Sequence, residues 1–288
     1  MRAATALIAL ALVPITASAV EVSRARYLMG TVCEITLDGD PPAVDAAFAE
    51  AARIESFLST WRDDSELSRV NRGEAEASAE LRSLLDRAIA WRDQTGGAFD
   101  PQIRPLLDVW RTRSEGSVPS RTQIEAAIAI VRTHRGPFEE GAFGKGYAMD
   151  RMLSVIASPH VVINFGGQIS VRGASRVSIA DPLRRDVPMV NVTLRDASLS
   201  TSSGSEKTFV VDGRTFTHIF DPRTGEALPP RGSVSVIAQD ALTADILSTA
   251  LYVMGPDEGL RWANAHHIAA LFVTPSHQIF KSNAFPKE

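Results

Sequence analysis

The sequence predicts an α+β fold, on two observations: apolar residues at helical spacing dominate the first half of the chain, and short β-rich runs dominate the second. A strictly alternating parallel sheet would interleave these textures throughout. A length of 288 residues supplies a sizeable core without cross-links. No repeat or low-complexity stretch divides the chain, so a single composite domain over 20–288 is expected behind a leader. Hydrophobic residues at 44% and charged residues at 22% exclude a disordered chain and a multi-span membrane protein. A formal charge of -4 offers no broad attraction to nucleic acid or an anionic membrane.

The leader is Met1 to Ala19: Arg2, an apolar run from Ala3 to Val13, Pro14, and an Ala17-Ser18-Ala19 exit. A charged start, a short apolar middle and small exit residues predict a secretory signal peptide cleaved after Ala19, hence an exported, periplasmic, soluble product. The run falls short of the ~20 residues that a spanning helix needs. Thr31 to Leu37 alternates as a half-buried strand, with Cys33 on the buried side and no second cysteine to pair with it. Pro41-Pro42 opens a helix whose Val44, Phe48, Ala51, Ile54 and Leu58 recur every three or four residues. A second helix follows Ser78 and stops at Gly96-Gly97. A third starts at Ser120, where Gln123 completes a Ser-x-x-Gln capping pattern. Helical spacing resumes after Lys145 through Ala148, Met152, Val155 and Ile156. Strands are then expected at Val161 to Phe165, Arg176 to Ala180, Pro188 to Leu194, Thr208 to Val211, Val234 to Ala238 and Ile268 to Thr274. A helix from Leu242 to Met254 interrupts them, and His266 and His267 are expected on a helix surface.

Three groups of segments carry candidate chemistry: a helical pair, two glycine-rich stretches, and a hydroxyl cluster with the histidine turn that follows it. Within Thr243 to Thr249, Asp245 and Thr249 are four apart and stack on one helix face. A carboxylate and a hydroxyl, with a nearby main-chain carbonyl and waters, form the incomplete oxygen shell in which Mg²⁺ also holds substrate phosphates. The same pair equally suits a helix-start aspartate and a solvated threonine. Gly141-Ala142-Phe143-Gly144-Lys145-Gly146 opens a helix, where free N–H groups and a lysine can meet a phosphate, although the spacing is not that of a Walker loop. Asn164-Phe165-Gly166-Gly167 permits close backbone approach or a tight turn. Lastly, Ser200-Thr201-Ser202-Ser203-Gly204 precedes His218-Ile219-Phe220-Asp221-Pro222-Arg223-Thr224-Gly225. No Gly-x-Ser-x-Gly elbow supports a hydrolase triad, and Asp-Pro-Arg-Thr-Gly has the chemistry of a turn.

The order of these segments resembles the ApbE flavin transferase family, the FAD:protein FMN transferases. The resemblance begins at Met29-Gly30-Thr31 and continues through Ser65 to Asn71, Gly97-Ala98-Phe99-Asp100-Pro101 and Lys145 to Asp150. It then takes in Asn164 to Gly167, His218 to Gly225 and Ala244 to Thr249, covering nearly the whole mature chain. It implies the family's α+β fold and its Mg²⁺-dependent reaction: FAD is cleaved, AMP leaves, and FMN is esterified to a threonine or serine of a partner protein, such as a respiratory electron-transfer subunit. By the same resemblance Asp245, Thr249 and the main-chain oxygen of Ala142 are metal ligands. Met29, Trp61, Ala98, Phe99, Asp100, Glu139, Lys145 and Ile219 contact FAD, and Asp245 and His218 are the catalytic candidates. Trp61 stands where tyrosine is usual, Gln168 where an acid is usual, and Glu139 where aspartate is usual. Two alternatives accompany this reading: an FAD pyrophosphatase that uses water as acceptor, and a non-catalytic flavin-binding accessory of a respiratory complex.

Overall fold

A computed structural model describes residues 21–111, 118–205 and 207–287. The leader Met1 to Ala19 lies outside the described residues. An antiparallel eight-stranded sheet runs in the order β1-β2-β3-β4-β5-β8-β9-β10. Its strands are β1 (Glu21–Leu28), β2 (Thr31–Asp38), β3 (Val161–Phe165), β4 (Gln168–Ala180), β5 (Pro188–Ser203), β8 (Ser233–Ala238), β9 (Ala269–Val273) and β10 (Ile279–Lys281). A separate hairpin pairs β6 (Thr208–Val211) with β7 (Arg214–Thr217).

Period-two alternation gives each strand two faces. On one face Cys33, Ile35, Ile163, Phe165, Val234, Val236 and Phe272 form the main core with the helices, and burial there pushes the Cys33 thiol up to about 12. These helices are α1 (Pro41–Leu58), α3 (Ala79–Gln94), α6 (Gly144–Val155) and α7 (Ala241–Ala265). On the other face Ile169, Val171, Leu199, Leu271 and Val273 pack with Val177, Ile179, Val190 and Val192 from the distal half of the β4–β5 hairpin. The hairpin folds over its own sheet at a register shift between Val171 and Ala174, where Gly173 adopts φ 80°. A third cluster centres on Trp110 from α4 (Arg104–Arg111), with Phe209, Phe216 and Phe220. Two more helices, α2 (Glu66–Asn71) and α5 (Arg121–Val131), complete the set. The expected Ser120–Gln123 capping box is present on α5.

The expected elements are all found, several of them longer than the local pattern suggests. The runs from Arg176 and from Pro188 are parts of β4 and β5, since polar Ser and Arg residues interrupt their apolar pattern. The expected helix from Leu242 to Met254 is the first segment of α7; Gly255 (φ 74°) breaks it before Pro256, and a second segment continues to Ala265. His266 caps that helix and stacks on Trp262, and His267 lies just past its end at φ 56°, so neither is a mid-helix surface residue.

Candidate active site

Helices α6 and α7 are bound to each other at the residues that matter chemically. Asp150 of α6 accepts hydrogen bonds from the backbone N–H groups of Ala241 (2.7 Å) and Leu242 (3.1 Å), two donors that the first turn of α7 would otherwise leave unmade. In return, Asp245 Oδ2 accepts from Gly146 N of α6 at 3.0 Å. That N–H therefore does not close a helical bond to the carbonyl of Ala142 four residues back. Gly146 makes this crossing possible: a Cβ there would lie 2.5 Å from the carbonyl oxygen of Ala241 and 2.8 Å from Asp245 Cβ. Burial pushes the Asp150 carboxyl up to about 6, with Asp240 adding to the rise and the two N–H donors opposing it.

Around Asp245 the donors are all oxygen or amide. Gln168, the first residue of β4, donates its Nε2 to Asp245 Oδ1 and also to Ser200 Oγ (3.0 Å), while its Oε1 is buried with no partner among the described residues. One turn along α7, Thr249 Oγ1 lies 3.3 Å from Ser202 Oγ, which also contacts Ser248 Oγ at 2.9 Å. Asp245 is 4% exposed. Among the described residues no group of three or more His, Cys, Asp or Glu side chains gathers as a metal cluster. What the site offers is one carboxylate, the Thr249 hydroxyl, the Ala142 carbonyl and the orphaned Gln168 oxygen. This is a hard, under-charged set that fits Mg²⁺ when a substrate phosphate supplies the remaining oxygens.

These groups open into a cleft of about 480 Å³. One wall is apolar: Phe99, Ile103, Leu107, Trp110, Phe209 and Phe220 line it, backed by tilted contacts of Trp110 with Phe209 (6.1 Å) and Phe220 (5.6 Å). Trp61 stands at the mouth, 78% exposed, with the Arg111 guanidinium 5.1 Å from its ring centre. Arg111 also reaches Glu139 (3.4 Å), a buried carboxylate that Arg104 engages at 3.3 Å from the other side. Ala98 and Asp100 follow the Gly96-Gly97 turn that ends α3, and both glycines there have positive φ. Burial raises the Asp100 carboxyl above the usual range, while Arg92 and His134 partly offset it. Lys145 enters from the first turn of α6, where the positive end of the helix shares its attraction for an anion.

His218 and Ile219 come from the segment after β7, and both line the cleft. His218 Nδ1 lies 3.2 Å from the Lys207 carbonyl oxygen. A carbonyl only accepts, so Nδ1 carries a proton in that contact. The Asp221 to Gly225 segment is the expected turn, closed by Gly225 N to the Asp221 carbonyl at 2.7 Å.

Of the residues singled out in the sequence, the fold gathers Trp61, Ala98, Phe99, Asp100, Glu139, Ala142, Lys145, His218, Ile219, Asp245 and Thr249 around this one cleft. Met29 is not on its wall. It sits in the β1–β2 turn at φ 46°, donates its N–H to Glu55 Oε1 at 2.9 Å, and packs behind the start of α6, close to Gly144. Residues the sequence did not single out as site residues include Arg111, Ile103, Leu107, Trp110 and Lys207. Their only sequence signal is the apolar spacing and charge of a short helix and a hairpin, which does not reveal that both face the same opening.

The ApbE family model matches residues 29–272 of the chain. The chain belongs to the ApbE family. Among curated ApbE relatives, an FAD:protein FMN transferase of Treponema pallidum is 28% identical, over 90% of this chain and 86% of the relative. Another, from Klebsiella pneumoniae, is also 28% identical, over 91% of this chain and 92% of the relative. The crystal structure of the ApbE protein from Thermotoga maritima superposes with a TM-score of 0.84 at 27% identity, covering 93% of this chain and 100% of the other. The helices and eight-stranded antiparallel sheet described above are thus the ApbE flavin transferase fold.

Proposed function

We propose that the cleft binds FAD and that the protein is an FAD:protein FMN transferase, releasing AMP and leaving FMN esterified through its phosphate to a threonine or serine of an exported partner protein. The observation that carries this reading is the meeting of Asp245, Thr249, Lys145 and the α6 N-terminus at the floor of a cleft whose other wall is aromatic. An aromatic wall suits a flavin ring, and the floor suits a pyrophosphate. The names of the relatives supply the reaction class.

Asp245, Thr249, the Ala142 carbonyl and Gln168 Oε1 are the residues that would hold Mg²⁺, which when bound supplies charge stabilisation at the phosphate oxygens. Lys145 and the positive end of α6 bind and orient the pyrophosphate. The acceptor hydroxyl oxygen forms a bond to the FMN phosphorus as the bond from that phosphorus to the bridging oxygen breaks, and AMP leaves with the bridging oxygen. His218, on the wall of the cleft, takes the hydroxyl proton. Gln168 holds Asp245 in place through its amide and keeps the floor rigid. Export by the Met1 to Ala19 leader places this activity where partner domains are exposed outside the cytoplasm; N-terminal sequencing of the exported protein checks it, with Val20 the expected first residue.

The test follows AMP and FMN during incubation with FAD and Mg²⁺, with and without acceptor domains. AMP release matched by flavin retained on the acceptor after denaturation supports the transferase. AMP matched by free FMN in every case supports the pyrophosphatase instead, and intact FAD supports a binding accessory.

A further inference from the structure

A second, smaller pocket of about 220 Å³ lies on the opposite face of the sheet, under the tip of the β4–β5 hairpin. It adjoins the catalytic cleft directly, because Thr201 and Ser203 of β5 line both. The alternation of β5 explains how. Ser202 points toward α7 and contacts Thr249, while its neighbours on either side face the other way. Strand β5 is therefore the partition, and the two openings meet at its end.

Its chemistry differs from that of the cleft. Ser203, Ser205, Ser233 and Asn164 bring hydroxyl and amide groups, the Gly166-Gly167 turn brings bare backbone, and Arg185 stands beside Gly167. Asp181 is occupied, bonding to His277 (3.1 Å) and to Leu183 N (2.8 Å). Ser233 is 3% exposed, and its Oγ has no hydrogen-bond partner among the described residues. A buried hydroxyl left unpaired costs free energy that a bound polar group would recover. At ~30 Å³ per water the pocket has room for roughly seven waters, enough for one or two small side chains and too little for a flavin. From the pocket the same sheet face continues to the edge strand, where Tyr27 and Val32 pair across β1 and β2 at 72% and 55% exposure. Val32 adjoins the glycine turn through its carbonyl, which accepts from Gly166 N at 3.0 Å.

We propose that this pocket seats the acceptor segment of the partner protein: an extended stretch whose small, uncharged polar side chain enters beside Ser233 and whose receiving threonine or serine, a residue or two along, crosses the end of β5 into the cleft. The inference rests on the transferase reading. An extended chain advances about 3.3 Å per residue, so a short step carries the hydroxyl over the shared rim. The Tyr27–Val32 pair then offers apolar contact to the body of the same partner. FAD and the acceptor thus approach from opposite faces of the sheet, which lets the acceptor enter with FAD already in place.

The test uses a respiratory FMN-carrying domain as acceptor and, separately, a synthetic peptide spanning its receiving threonine. Ser205→Trp blocks the pocket mouth at an exposed turn position outside the catalytic cleft, and Ser233→Ala removes the orphaned hydroxyl. The expected result for Ser205→Trp is a rise of tenfold or more in KM for both acceptors, with FAD affinity and acceptor-free FAD hydrolysis unchanged. Ser233→Ala should raise KM for the peptide several-fold at wild-type melting temperature. Wild-type acceptor KM in both variants overturns the pocket assignment while leaving the transferase reading intact. A wild-type protein that hydrolyses FAD yet modifies no acceptor overturns both.

Discussion

At the scale of single residues, Asp245 has two duties that can be separated. It accepts the Gly146 N–H and the Gln168 amide, and it supplies the only carboxylate among the four oxygen donors assigned to Mg²⁺. Asp245→Ala leaves two buried donors unmet, a loss of ~1–3 kcal/mol each at most, and removes charge at the reacting phosphate, which costs about 10²-fold or more in kcat. The expected outcome is a folded protein with a lowered melting temperature and FAD cleavage below one per cent of wild type. Near-normal turnover in a folded variant would remove Asp245 from the chemistry. Helical spacing made Asp245 and Thr249 legible as neighbours on one face, but spacing alone fits a helix-start aspartate and a solvated threonine, and only the family resemblance pointed to a metal. Gln168 was visible only as a departure from a family pattern, since nothing local shows that the start of β4 meets α7.

At the scale of elements, the function depends on how α6 crosses α7. Gly146→Ala places a methyl group where the Ala241 carbonyl already sits, 2.5 Å away, and backbone cannot yield as a side chain can. Destabilisation of about 3 kcal/mol or more is expected, consistent with overpacking at its upper range, together with loss of the Gly146–Asp245 bond; urea titration and FAD turnover measure the two. Asp150 gives the crossing a pH dependence. Its folded carboxyl titrates near 6 against 3.8 for the ordinary group, so the folded state holds the proton longer and is favoured at low pH. That contribution is full below about pH 4 and is lost as pH rises to about 6, on the order of 3 kcal/mol at most. Asp150→Asn keeps one acceptor oxygen for α7 but turns its amide NH2 toward the second N–H, so it starts less stable than wild type, and its stability should stay level while that of wild type falls between pH 4 and 6. An unchanged difference across that window would place the Asp150 proton elsewhere. Helices α1, α3, α5 and α6 were readable because each has a strong apolar period and most have a local start signal. Strand β1 was not: it is an edge strand that turns Arg24 and Arg26, rather than apolar side chains, toward Asp45 of α1, with little apolar alternation to find. Short α4 also lacks a periodic run long enough to stand out, yet it supplies Leu107, Trp110 and Arg111 to the cleft.

At the scale of the molecule, the helices and the sheet divide the work. The helical side of the sheet carries the cleft with Asp245, Thr249 and Lys145 and its aromatic wall, and the opposite side carries the polar pocket and the exposed Tyr27–Val32 pair. The order of motifs along the chain made the α+β class and the family resemblance readable, because each motif reports a local turn or helix start. It could not report that β5 separates two openings, which depends on pairing between residues far apart in sequence. In the proposed reaction the reacting phosphorus is delivered to a protein hydroxyl, since a docked nucleophile can reach an effective concentration on the order of 10⁵ M and so outrun water. The most direct measurement is the intact mass of an acceptor domain after incubation with this protein, FAD and Mg²⁺, beside the same domain with its receiving threonine replaced by valine. The expected result is a mass increase of one FMN less one water on the threonine form only, with AMP released in equal amount. Free FMN accumulating at the same rate with either form, and no flavin on the denatured acceptor, would contradict it.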